Sequence, residues 1–486
     1  MPDPLAAADP GPEPIGPVVH PPVAGELADR RRVGDPWRVA GWADLSTAKR
    51  CRIVASARRR IAGSAEEFIR RCANEQRTDP VETLTGELFP LCSALRFIGR
   101  RGPGLLKPRR YGFWGRPLWL LGVGSEVRRE PLGDVLILAA WNYPLLLPGV
   151  QMAQALAAGN RVWLKPAPGC ESATELLVEA FTGSGVPAEA IRMLPAEPAA
   201  AIQRIDQGVD LVILTGSSAT GRSVLGRCAG RLTPAIMELS GCDAVVVGPD
   251  ADLDLVAKAI GFGLRFNAGA TCIGPRRILV GSEQHGELVD RLRERLSDVP
   301  ALTVHPAARA SATRMIEDAL RRGAVDLLAQ TGAEPYDGSC SSMRPMILDR
   351  VGADWPIASA DLFAPVASIL RAESDAERIG LVRDCPYRLA ASVFGERKWA
   401  ESLASRLDVG HVSINDLIFP TADPRVPFGG AGESGFGVTR GAEGLLAMTR
   451  PKVIARHRGW VYPHLSPRGP RDLPMLLRFL RWLHGR

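Results

Sequence analysis

Asp134-Val135-Leu136-Ile137-Leu138-Ala139-Ala140-Trp141-Asn142-Tyr143-Pro144 is the stretch that decides the fold. Its unbroken apolar run reads as a strand buried on both faces, and Asn142-Tyr143-Pro144 turns the chain into a helix over 147–158. After Gly159-Asn160 the pattern repeats, with Arg161-Val162-Trp163-Leu164-Lys165-Pro166 as a strand and 172–182 as a helix. Strand, helix, strand, helix is the signature of a parallel sheet with crossover helices. In such sheets ligands lie beyond the carboxyl ends of the strands, where Asn142 and Lys165 fall. A third unit runs from Val209-Asp210-Leu211-Val212-Ile213-Leu214 into Thr215-Gly216-Ser217-Ser218-Ala219-Thr220-Gly221-Arg222. Glycines between a strand and a helix start suit a pyrophosphate, and they serve plain strand-to-helix turns equally well. Alternation restarts at Ala244 and continues to about Leu417, so the class is α/β with a second parallel-sheet unit.

The flanks are of other kinds. Apolar residues such as Ile53, Ala57, Ile61, Phe68 and Ile69 recur at helical spacing over 46–75, and helical character continues over 81–97 until Gly102-Pro103-Gly104 breaks it. Residues 118–121, a Gly122-Val123-Gly124-Ser125 turn and 126–129 read as a hairpin suited to pairing with another subunit. The opening, rich in Pro and Ala, has neither a basic start nor an apolar run, and reads as a disordered extension and not a signal peptide.

At 486 residues the chain suits two large domains. Its net charge of +7 is a property of one end: from Arg440 onward, Lys and Arg outnumber Glu443 and Asp472 by more than that excess. The body carries no basic stripe interleaved with aromatics, which argues against nucleic-acid binding. The 9 cysteines are scattered without a C-x-x-C pair, so a disulfide framework or thiolate zinc site is not expected, and a reducing cytoplasm is. No stretch is apolar for the twenty or so residues that a spanning helix needs.

Two short segments carry candidate chemistry. Glu238-Leu239-Ser240-Gly241 and Phe266-Asn267-Ala268-Gly269-Ala270-Thr271-Cys272 each follow an apolar run and offer a carboxylate and a thiol among small residues. A lone cysteine is commonly a small buried hydrophobe, and a lone glutamate a solvated surface group.

Taken in order, these segments resemble the aldehyde dehydrogenase superfamily. The series runs through Pro131-Leu132-Gly133 with Trp141-Asn142-Tyr143-Pro144, Lys165-Pro166-Ala167, Thr215-Gly216-Ser217 with Gly221-Arg222, Met237-Glu238-Leu239-Ser240-Gly241 and the loop ending at Cys272. It continues with Asp361-Leu362-Phe363-Ala364-Pro365-Val366, Gly410-His411-Val412-Ser413-Ile414-Asn415, and Pro427-Phe428-Gly429-Gly430 with Ser434-Gly435-Phe436-Gly437. The resemblance implies oxidation of an aldehyde to a carboxylic acid with NAD or NADP: Cys272 adds to the carbonyl, Asn142 and the Cys272 N–H hold the oxyanion, and Glu238 activates water. It implies cofactor contacts at Trp141, Lys165, Gly216, Ser217, Gly221, Asp361 and Phe363, with no metal. The implied layout is a Rossmann-like cofactor domain (36–115 and 131–240), an α/β catalytic domain (241–433) and a small β oligomerisation arm (116–130 and 451–466), assembled as a homodimer or homotetramer.

Departures qualify the match. Pro168 stands where the family commonly has a glutamate for the adenosine ribose, which leaves NADP on a par with NAD. Asp361 replaces a longer glutamate, and Ser240, Cys242, Asp243 and Arg388 occupy positions usually held by other residues. A coenzyme A-acylating relative or a weakened homologue kept for binding are the alternatives, and Glu238 speaks against the first. Tyr143, Ile273 and Phe419 are candidate substrate-lining positions. Beyond the resemblance, Asp472 as N-cap with Pro474 in the first turn starts a basic amphipathic helix over 471–486. It packs on the protein or a subunit neighbour, or docks peripherally on an anionic membrane or in a partner's groove.

Overall fold

The computed structural model describes residues 41–120, 122–329, 342–458, 462–465 and 469–485. The expected N-terminal extension lies outside the described residues.

The chain opens with helices α1 (Thr47–Gly63), α2 (Ala65–Cys72) and α3 (Phe89–Leu105). Ser46 caps α1, its side chain accepting from Lys49 N. The expected break at Gly102-Pro103-Gly104 is not there, because α3 runs on to Leu105. Gly99 and Gly102 serve close packing: a Cβ on Gly99 would stand 2.6 Å from Ala55 Cβ, and one on Gly102 2.8 Å from Cys51 Sγ. Pro103 falls in the last turn, where little of the helix remains to be disrupted, and Leu106 N still donates to Gly102 O at 3.0 Å.

Next come β1 (Arg109–Tyr111) and β2 (Val123–Pro131). The hairpin expected over 118–129 is replaced by one long strand, β2, with a 3-10 turn at Leu118–Leu120. One partner of β2 is its neighbour in sequence, β1, and the other is distant, a strand near the C-terminus paired from Val123↔His457 to Pro131↔Thr449. A local reading could not find a partner more than 300 residues away.

The first parallel sheet contains β3 (Asp134–Leu138), α4 (Leu146–Ala158), β4 (Arg161–Lys165), α5 (Glu171–Thr182), β5 (Ile191–Met193), α6 (Pro198–Gln207), β6 (Leu211–Gly216), α7 (Ser218–Ala229) and β7 (Ala235–Leu239). Successive β3 residues feed opposite faces: Val135 and Ile137 join the core under α1, α3, α4 and α5, and Leu136 and Leu138 join the core under α6 and α7. The chain fills the sheet outward from β3 through β4 and β5, then returns to place β6 on the other side of β3. That reversal opens a crevice at the carboxyl ends of β3 and β6.

The second unit comprises β8 (Asp243–Val247), α8 (Leu253–Arg265), β9 (Pro275–Val280), α9 (Ser282–Leu296), α10 (Pro306–Arg321), β10 (Val325–Asp326), β11 (Met346–Asp349), β12 (Val366–Arg371), α11 (Asp375–Arg383), β13 (Ala390–Phe394), α12 (Arg397–Ala404) and β14 (His411–Ile414). Its sheet order is β10-β11-β12-β9-β8-β13-β14, parallel except for the edge pair β10 and β11. β15 (Gly435–Phe436) then returns to the first sheet, antiparallel to β7, and β16 (Thr449–His457) completes the arm. A final helix, α13 (Asp472–His484), follows. Asp472 is its first residue and not its N-cap: its carboxylate reaches back to accept from Gly469 N at 2.7 Å.

Candidate active site

A cavity of about 550 Å³ lies where the carboxyl ends of the first sheet meet the loops that precede β9 and β12. Its walls carry Asn142 and Trp141 after β3, Lys165 at the end of β4, Gly216 and Ser217 after β6, Glu238 on β7, Cys272 before β9, and Asp361 and Phe363 before β12. Gly221 stands apart: a Cβ there would meet Leu239 Cδ1 at 2.8 Å, so it serves helix-to-strand packing.

Cys272 closes a strained loop. Asn267 and Ala268 both take φ of +51° and Gly269 takes +74°, three left-handed residues in succession. At Gly269 a Cβ would fall 2.5 Å from the Ala364 carbonyl oxygen, so only glycine lets this loop rest against the segment carrying Asp361 and Phe363. Arg276, buried on β9, ties the two together by donating to Ala364 O at 3.1 Å and Thr271 O at 3.2 Å. Burial pushes the Cys272 thiol up to about 12, Asp243 adds to the rise and Arg440 opposes it. The resting side chain is therefore a thiol that needs a proton acceptor to become a nucleophile.

Glu238 is buried among donors. Gln151 Nε2 reaches its Oε2 at 2.8 Å, Thr215 Oγ1 the same oxygen at 3.3 Å, and Thr439 Oγ1 donates closely to Oε1. Burial nevertheless raises its carboxyl above the usual range, against the pull of Thr439, Arg440, Gln151 and Thr215. A carboxylate fixed in orientation and raised in proton affinity is suited to general-base work.

Asn142 donates through Nδ2 to Ala270 O at 3.0 Å, which leaves that amide a second N–H. Its backbone is held from behind. The Asn142 carbonyl accepts from Asn267 Nδ2 at 2.9 Å and from Arg77, which is ion-paired to Glu87 in the interior. Glu87 Oε2 in turn accepts Leu145 N at 2.7 Å and Leu146 N at 2.9 Å, satisfying amides at the start of α4. The indole of Trp141 stacks on His305 at 4.8 Å between centroids, with Phe363 6.1 Å away.

Groups on the cavity wall suit a dinucleotide. Ser217 caps α7, its side chain accepting from Thr220 N, so a helix N-terminus opens on the cavity. Asp361 Oδ1 is buried without a partner, and burial raises the carboxyl to about 6 against Ser240 and Arg276. Such an orphaned acceptor fits a ribose hydroxyl. Among the described residues no group of His, Cys, Asp and Glu forms a metal cluster.

Tyr143, Ile273 and Phe419 do not line this cavity. Tyr143 turns its hydroxyl to Thr271 Oγ1 at 2.8 Å, Ile273 packs with Leu389 and Phe428, and Phe419 is exposed. Gln151, Thr439, Arg276 and the Arg77–Glu87 pair were not singled out from sequence. Two had a signal: Gln151 is one of two amides, with Gln154, in an otherwise apolar helix, and Arg276 one of two adjacent arginines, with Arg277, in an otherwise apolar strand.

A partly buried thiol, an oriented carboxylate and a crevice at the carboxyl ends of a parallel sheet share one cavity, the layout of an oxidoreductase site. The chain belongs to the aldehyde dehydrogenase family, whose model matches residues 37–454. It is an enzyme that oxidises aldehydes to acids with NAD(P). It is 30% identical to 4,4'-diapolycopene aldehyde oxidase of Methylomonas sp over 91% of this chain and 84% of the relative. It is 32% identical to geranial dehydrogenase of Castellaniella defragrans over 68% of this chain and 71% of the relative. The fold superimposes on an aldehyde dehydrogenase of Mycobacterium tuberculosis complexed with NAD+ with a TM-score of 0.79 at 26% identity, covering 88% of this chain and 89% of that one.

Proposed function

We propose that Cys272 adds to the aldehyde carbon, that the free N–H of Asn142 and the Cys272 backbone N–H hold the resulting alkoxide, and that Glu238 later activates water against the thioester. The observation that carries this reading is the single cavity shared by Cys272, Glu238 and Asn142, with Glu238 fixed by three donors. With the thiol raised to about 12, its proton must leave as the C–S bond forms. The alkoxide collapses as the hydride departs, leaving a thioester on Cys272. NAD(P), when bound, supplies the hydride acceptor. For its binding we assign the α7 N-terminus around Ser217 to the pyrophosphate, Lys165 and Asp361 to the two riboses, and Trp141 and Phe363 to the nicotinamide end. Pro168 on the cavity wall offers no carboxylate against a 2′-phosphate, so both NAD and NADP are accepted.

The substrate we propose is an apolar aldehyde. Cys272 packs in a cluster with Ile273, Leu389, Ala390, Phe428 and Ile418, and the names of two relatives specify apolar aldehydes. The outer edge of β16 suits pairing with a neighbouring subunit in a homodimer or homotetramer. The described cysteines are free, in keeping with a reducing cytoplasm.

Glu238→Gln tests the assignment. Hydride transfer should persist and deacylation stall, giving a burst of NAD(P)H, about one per site, followed by a slow phase. Steady turnover at the wild-type rate would remove Glu238 from the role of base.

A further inference from the structure

α13 is a helix whose residues leave no side chain buried, although most of its circumference is apolar. Leu473, Leu476, Leu477, Leu480 and Leu483 share one side, Phe479 and Trp482 extend it, and Arg478 and Arg481 form a narrow basic stripe. Trp119 stands opposite the leucines across an open apolar groove of about 430 Å³. Trp119 belongs to a second segment of the same character, 107–120, far away in sequence. This segment exposes Tyr111, Phe113, Trp114 (93% exposed) and Trp119 (67%) alongside Lys107, Arg109 and Arg110, and holds no acidic residue. Through Trp119 the fold brings together two chain-distant stretches that are both aromatic, both basic and both exposed in the single chain.

We propose that these two stretches form one docking surface for an anionic phospholipid bilayer. Trp and Tyr rings favour the headgroup level of a membrane, where an apolar body and a polar edge are both accommodated. Leucines on the same side can enter the acyl boundary while Arg478 and Arg481 reach anionic headgroups. Charge favours lipid as the occupant. Lys107, Arg109, Arg110, Arg478 and Arg481 face outward with Asp472 as the one acid on α13, a charge balance that suits an anionic surface. Among the described ion pairs of these basic residues, only Arg110 reaches a carboxylate, that of Glu126 at 3.5 Å. At 13 residues α13 is about 20 Å long, too short to span a bilayer, so the contact is peripheral.

The test uses the full-length protein with vesicles of phosphatidylcholine alone and of phosphatidylcholine with phosphatidylglycerol. Sedimentation is followed at low and raised salt, and mass by light scattering. The protein should sediment with the anionic vesicles and be released by salt. Arg478→Gln with Arg481→Gln should lower partitioning about 25-fold, at roughly five-fold per charge. Leu476→Asp with Trp482→Asp should abolish it, while oxidation of a short soluble aldehyde and the oligomeric mass stay unchanged. Equal binding to neutral and anionic vesicles, or none to either, overturns the proposal. So does a fall in mass on deleting residues 471–486, which would give the surface to a second copy.

Discussion

At the scale of single side chains, cofactor use should answer to Pro168 and Asp361. Pro168 lines the cavity where an acid would repel a 2′-phosphate, so Pro168→Glu should shift the ratio of kcat/KM for NADP over NAD toward NAD, by at least about ten-fold for one unscreened repulsion. An unmoved ratio would show that this position does not face the adenosine ribose. With Asp361 on a ribose as proposed, cofactor use should depend on pH. The Asp361 carboxyl is raised to about 6, so it is an acceptor above that pH and protonated below it. KM for NAD(P) should therefore rise as pH falls through about 6, and Asp361→Asn should flatten that step in the profile. Ser240, whose contact draws the carboxyl back down, stands where the family pattern differs, and the two departures are coupled in one contact. We have no structural account of Arg388, which pairs with Asp408 on the surface.

At the scale of elements, what matters is how the loops bearing these residues are held. The Asn142 turn hangs on a buried ion pair: Arg77 grips the Asn142 carbonyl, and Glu87 grips both Arg77 and the first amides of α4. Removing one partner leaves the other charge buried and uncompensated, so Glu87→Ala should cost about 3–5 kcal/mol by denaturant unfolding. Activity at low temperature should fall with it as the turn loosens, whereas an exposed pair such as Arg397 with Glu401 should matter little. The helix-spaced apolar residues of α1 and the buried runs of β3 and β4 were legible because burial imposes a period on them. The continuation of α3 through Gly102 and Pro103 was not, since its glycines answer to the α1 surface against which they pack. The same holds for Gly221, whose contact with Leu239 looks in sequence like a phosphate-binding glycine.

Across the whole molecule the arm is the feature that no local pattern discloses. β2 has β1 and β16 as its partners, and β16 ends the three-stranded sheet with an open edge and an exposed Val453. If that edge joins subunits, Val453→Asp should reduce the mass found by light scattering to that of one chain, with the fold retained by circular dichroism. The sequence by itself determined the two α/β units and the order of the strands that line the cavity, and it singled out Cys272, Glu238 and Asn142 as candidates, because periodicity and motif order are local properties. Only the tertiary structure decided which residues serve them. Gln151, Thr215 and Thr439 converge on Glu238 from three separate elements, Arg276 joins two loops, and Trp119 faces α13. Each of these contacts joins residues far apart in the chain, and their meeting is fixed by how the sheets and helices pack, which the spacing of residues along the chain does not record.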